Sequence, residues 1–226
     1  MALPLTSQIV NLLAALLLLL AFAMLAQRRV LTLIKLLAWQ GAALALSTAI
    51  VAYATGQTHL YFSAGLTLAL KVILIPWLLH RLIDKLMVRW DIETLINIPT
   101  TMLAGIGLAI FAFALATPIS QMASTITRST LGIALACVLL SFLMMIVRRK
   151  AVPQVIGFLS MENGLFFGAM SATYGMPMIV EFGVALDVLV AVLVLGIFFF
   201  QIREQFDSLD LHHLESLRER TGQDRE

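Results

Sequence analysis

The sequence predicts an all-α fold, a polytopic bundle of about seven transmembrane helices with its N-terminus outside and its C-terminus cytoplasmic. Three observations carry this reading. Of the 226 residues, 61% are hydrophobic and only 12% are charged, about half the charge of a soluble domain, and the mean hydropathy is +0.97. Seven apolar stretches follow one another, roughly 7–27, 30–54, 59–80, 97–118, 127–147, 151–174 and 176–202, each near the ~20 residues that cross a bilayer. No strand-like alternation suggests a barrel, and a chain in lipid must satisfy its backbone internally, so each stretch reads as a helix.

The first stretch lacks a basic n-region, and its apolar run from Ile9 to Ala26 is long for a leader. No convincing cleavage site precedes Arg28-Arg29, so it reads as a first span and not as a removed signal. The second stretch carries Trp39-Gln40-Gly41. The third carries Lys71 and Pro76. Because Pro76 has no N–H for the carbonyl of Val72, a kink is expected there. Pro99, Pro153 and Pro177 sit near helix starts and Pro118 at an end, positions that proline tolerates. In the sixth stretch, Gly164 and Gly168 form a GxxxG that lets a neighbouring helix approach closely. Glu162, about 200° around the helix from Gly164, points to a different neighbour. Past Gln201, Phe206, Leu209, Leu211, Leu214 and Leu217 give a polar tail an apolar side. Such a helix docks on a partner or lies on the membrane surface.

Basic residues set the orientation. Arg28 and Arg29; Arg81, Lys85 and Arg89; Arg148, Arg149 and Lys150; and Arg203, Arg218, Arg220 and Arg225 all fall on one side of a seven-helix path. The other side has only Arg128. The positive-inside rule makes the first side cytoplasmic. The chain divides into an N-terminal three-helix unit (1–90), a linking helix (91–126), a second three-helix unit (127–202) and the tail (203–226). A weak repeat relates the two units, aligning Gln40 with Glu162 and Lys71 with Asp187.

The residues with chemistry to offer are the ionisable groups at membrane depth. An Asp, Lys or Arg at a helix centre costs about 2.5–3.5 kcal/mol on insertion scales. Lys71, Glu162 and Asp187 lie near mid-span, so each must face the bundle interior and find a partner or change protonation state. One reading is a proton or ion path, in which small electrostatic changes load or unload a proton, with Gln40 holding water between the charged sites. The other is a set of charges that only pairs helices, although a buried pair is a poor source of stability. Lys35 sits a turn inside its span and can snorkel. Glu181 is near the outer end of span seven, and His59 and His80 flank span three. His212-His213 has no accompanying ligands that specify a metal. Cys137 is the one cysteine, which reads as a small core residue; one thiol cannot hold a cluster. No catalytic motif is present, and no basic patch is large enough for nucleic acid.

Arg149-Lys150-Ala-Val-Pro-Gln154-Val-Ile-Gly157, continuing to Met161-Glu162-Asn163-Gly164, resembles component E of hydrogenase-4. So do Val180-Glu181-Phe-Gly183-Val-Ala185-Leu-Asp187, the tail from Leu209 to Leu217, and the helix carrying Lys71-Val72-Ile-Leu-Ile-Pro76. The last three helices are also similar to the small three-helix subunit of complex I and its Mrp-antiporter relative. There Glu162 lies about one turn from the first buried glutamate of that subunit, and Asp187 near the second. The resemblance implies a membrane subunit of a group 4 energy-converting hydrogenase or formate hydrogenlyase in a bacterial inner membrane. Its partners would be antiporter-like membrane subunits and cytoplasmic hydrogenase-type subunits. Nickel–iron and iron–sulfur centres would belong to those other subunits, with none in this chain. Glu162, Asp187 and Lys71, with Gln40, would then serve proton or sodium movement. The alternatives are a component of an Mrp-type cation/proton antiporter and a structural membrane scaffold.

Overall fold

The computed structural model describes residues 5–56, 58–86, 94–121 and 125–173, together with the single positions 183, 185, 188, 189, 192 and 196. The chain begins with α1 (Leu5–Ala26) and α2 (Val30–Thr55). A third long helix is built of α3 (Thr58–Thr67), a π-helical segment (Leu68–Leu74) and α4 (Ile75–Leu86). Then come α5 (Ile98–Gln121), α6 (Thr125–Val147) and α7 (Ala151–Thr173). Six helices among the described residues are long and apolar enough to cross a membrane. The expected seventh span lies largely outside the described residues, although Gly183, Ala185, Val188, Leu189, Val192 and Gly196 have helical backbone. The tail beyond Gln201 and Glu181 lie outside them as well.

Side-chain size and backbone freedom explain the local turns. Gly56 stands at the end of α2 with φ of 68°, the left-handed conformation that closes a helix and that glycine adopts without strain. The π-helical segment stops where it meets proline. The N–H of Ile75 donates to the carbonyl of Leu70, five residues back, and Pro76 has no N–H with which to continue any ladder. The expected disturbance at Pro76 is thus taken up as a widened turn on its N-terminal side. Pro118 does not end its helix, since α5 runs on to Gln121.

The core sits where α1, α2, α6 and α7 meet. α1 packs on α2 and α6, α7 packs on α6 and α2, the third helix lies along α2, and α5 lies along α6 and α1. Leu17, Met24, Leu33, Ile34, Leu44, Leu140, Ile156 and Phe167 are all but fully enclosed. Outward-facing Leu12, Leu19, Phe62, Leu103, Ile110, Phe111 and Phe142 are exposed, as suits helices whose outer faces meet lipid.

Glycine sets the closeness of the α6–α7 contact. A β-carbon on Gly164 would stand 3.1 Å from Val138 and 3.2 Å from Cys137, and one on Gly168 would stand 3.0 Å from Ala134. The same seam carries a hydrogen bond of 2.7 Å between the hydroxyls of Ser141 and Ser160.

Candidate functional site: a buried ion pair at mid-bundle

The site is assembled from α2, the π-helical segment and α7. Glu162 is the central residue of the Ala151–Thr173 span, and Lys71 is within a residue of the centre of Leu60–Arg81. At 1.5 Å per residue, each is about 16 Å from the ends of its span. Lys71 Nζ lies 3.2 Å from Glu162 Oε1, and their side chains are only 4% and 2% exposed. The Lys71 ammonium also stands 5.7 Å from the centre of the Phe166 ring, one turn along α7 from Glu162, a distance at which a cation is drawn to an aromatic face. Phe166 in turn packs on Gly183, where a β-carbon would collide with the ring.

Beside the ion pair is a pair of amides. Asn163 Nδ2 donates to Gln40 Oε1 at 3.2 Å, and both residues are buried. Gln40 Nε2 and Asn163 Oδ1 have no hydrogen-bond partner among the described residues, which is costly in a medium without water. Gly41 follows Gln40 and provides the close approach that brings α2 to the π-helical segment. A β-carbon there would stand 3.0 Å from Lys71 Cβ and 3.4 Å from the Lys71 carbonyl oxygen.

A row of hydroxyls leads to Lys71. Ser63 and Thr67 precede it by eight and four residues on the same helix and are both buried. Elsewhere, Ser47, Thr48, Thr55, Thr101, Thr117 and Thr173 each donate back to a carbonyl four residues earlier, the usual outlet for a helical hydroxyl. Ser63 and Thr67 do not, and their oxygens have no partner among the described residues.

Arg148 has a place that its sequence position does not suggest. Read as one of the loop charges that set orientation, it is 1% exposed. Its Nη2 donates to the carbonyls of Met24, Leu25 and Gln27 at 3.2, 3.0 and 2.7 Å. Met24 and Leu25 are in the last turn of α1 and Gln27 follows it, where carbonyls lack the donor four residues on; the Met24 carbonyl also accepts the Gln27 N–H at 3.3 Å. The guanidinium therefore caps α1 across more than a hundred residues of chain. Burial pushes it down to about 10, so it stays protonated at neutral pH.

The structure thus brings Lys71, Glu162 and Gln40 into one buried cluster and adds Asn163, Phe166, Gly41, Ser63 and Thr67, which sequence reasoning did not assign to it. Asp187 lies outside the described residues. The signal for Ser63 and Thr67 was the four-residue spacing Ser63–Thr67–Lys71 in an otherwise apolar helix.

Fold and site together define a multi-pass helical membrane protein with a lysine–glutamate pair enclosed near the centre of its bundle. The chain is 35% identical over 187 residues to "Uncharacterized protein Rv0085" of Mycobacterium tuberculosis, covering 82% of this chain and 85% of that protein. It belongs to the same family. It is also 29% identical over 101 residues to "Hydrogenase-4 component E" of Escherichia coli strain K12, covering 45% of this chain and 47% of that protein. The Shigella flexneri protein of the same name matches to the same extent. This second likeness is distant and spans less than half of either chain. No protein-family model and no solved structure matches the chain.

Proposed function

We propose that this chain is a membrane subunit of a hydrogenase-type, complex I-like assembly, and that Lys71 and Glu162 take part in proton or sodium translocation coupled to electron transfer in partner subunits. The observation that carries the reading is the ion pair itself, 3.2 Å long and buried on both sides at a depth where each charge is expensive. In a low-dielectric setting the energy of each charged group depends strongly on nearby charge, so a charge passing in a neighbouring subunit would load or unload a proton here. Support comes from the flanking amides and from the Ser63–Thr67 row, whose buried oxygens are free to accept or donate a proton. The similarity to hydrogenase-4 component E supports the setting. Asp187 is proposed as a second carboxylate of the path, and nickel–iron and iron–sulfur centres would lie in partner subunits of a bacterial inner-membrane complex.

The test is Glu162→Gln in the assembled complex. Proton translocation is expected to fall by at least about tenfold, in line with loss of a proton-transfer group, while the complex still assembles. Normal pumping by a correctly assembled Glu162→Gln complex would remove Glu162 from the path. A second reading is favoured by the directness of the contact: a charge clamp that holds the third helix to α7 in a scaffold subunit. It differs in outcome, because Glu162→Gln would then damage assembly and leave the translocation of whatever complex forms intact.

A further inference from the structure

The widened turn before Pro76 lies beside a groove between α2 and the third helix with a volume of about 710 Å³. That volume falls within the range of about 300–1,000 Å³ typical of small-molecule sites. The groove has two chemical ends. Ala38, Val72, Ile73 and Pro76 make an apolar trough toward the middle of the bundle. Lys35, His80 and Arg81 stand toward the helix ends. Lys35 is five residues into α2, about 7.5 Å from its start, and Arg81 is the same number of residues before the end of α4. The Arg81 guanidinium lies 5.2 Å from the Trp77 ring, and Trp77 is half exposed, the position of an interfacial anchor at headgroup level. Among the described side chains no carboxylate pairs with Lys35, His80 or Arg81.

We infer that this groove binds one anionic phospholipid, with its phosphate held by Lys35, Arg81 and the His80 ring and its acyl chain laid along Ala38, Val72 and Ile73. The charge complementarity selects the occupant. A neutral apolar helix of a partner would cover two cations and an imidazole at the headgroup level and bring them no counter-charge of its own. Free phosphate would leave the trough empty. A lipid with a negative headgroup satisfies both ends. The same end of the bundle carries Arg28, Arg29 and Arg149, so the positive-inside rule puts the site in the cytoplasmic leaflet, where anionic lipids meet basic pockets between helices.

Native mass spectrometry of the full purified chain in mild detergent, offered an equimolar mixture of phosphatidylglycerol and phosphatidylcholine, tests this. Phosphatidylglycerol should be retained in preference. Lys35→Gln with Arg81→Gln should weaken retention by roughly 30-fold, about fivefold per cation. Arg28→Gln with Arg149→Gln removes equal charge from the same face, both residues being exposed, and should change little. Ala38→Phe fills the trough with every charge in place and should also weaken retention. Inorganic phosphate at millimolar concentration should not displace the lipid. Equal retention of the two lipids, equal loss in the two double variants, an indifferent Ala38→Phe, or displacement by phosphate each overturns the proposal.

Discussion

Gly41 and Lys71 meet across the packed faces of α2 and the π-helical segment so closely that a β-carbon on Gly41 would stand 3.0 Å from Lys71 Cβ. The neighbouring atoms are a β-carbon and a backbone carbonyl, not the far end of a flexible side chain, so they give way only if the helices part. Gly41→Val is therefore expected to destabilise the protein by about 1–3 kcal/mol, with Gly41→Ala toward the lower end. Thermal unfolding of the purified protein in detergent measures it. A Gly41→Val variant as stable as the parent would show that α2 and the π-helical segment do not lie this close.

Lys71→Met and Glu162→Gln each leave half of the pair behind. Breaking a buried ion pair from one side costs about 3–5 kcal/mol, while an ordinary interhelical hydrogen bond in a membrane is worth about 0.6 kcal/mol. The contact is a charge pair, so the double variant should be more stable than the sum of the singles predicts by at least about 1 kcal/mol. Strict additivity in unfolding measurements would mean that the two groups are not coupled. Translocation should stay low in the double variant even where stability recovers, because a proton-transfer group is still missing.

Arg148→Met removes three bonds to the end of α1 and should destabilise the protein by about 1.5–3 kcal/mol, the range for hydrogen bonds to a charged group. Arg148→Lys should restore only part, since an ammonium lacks the planar fork that reaches several carbonyls. The folded-state value, about 10, is below the unfolded one. The folded chain would thus release this proton first, and any gain in stability from this group would come as pH rises past that value. Across roughly pH 6–9 its contribution should be flat. A steep dependence there that disappears in Arg148→Met would contradict its placement.

Gly164 and Gly107 should respond in opposite ways. A β-carbon on Gly164 would press on Val138 and Cys137, whereas one on Gly107 meets nothing within 4 Å. Gly164→Leu should part α6 from α7 and cost about 1–3 kcal/mol. Gly107→Ala should be neutral or stabilise α5 by up to about 1 kcal/mol through helix propensity alone. Thermal unfolding of the two variants side by side decides it, and similar losses in both would mean that α6–α7 packing is not set at Gly164.

Much of this fold is legible in the sequence because each helix must carry its own apolar run, and such runs are local. The span boundaries near 27, 55, 80, 147 and 173 can be read from charge, glycine and proline to within a few residues. Lys71 and Glu162 are conspicuous for the same reason, as charges where hydrocarbon tolerates few. Gly41 gave no such signal: in the sequence it is one small residue among many, and only the helix that crosses it makes it a contact.

Composition and the order of residues by themselves determined that this is a helical membrane protein and that a few ionisable groups sit deep within it, because the price of an unsatisfied backbone or charge in lipid is set residue by residue. Which charge meets which was decided only by the tertiary structure. The repeat in the sequence aligns Gln40 with Glu162 and Lys71 with Asp187, yet Lys71 touches Glu162 and Gln40 touches Asn163. Arg148, one basic residue among several at a helix end, is the one enclosed against α1. Partnership depends on which helices become neighbours and at what height, and that follows from small residues and packed surfaces distributed over the whole chain.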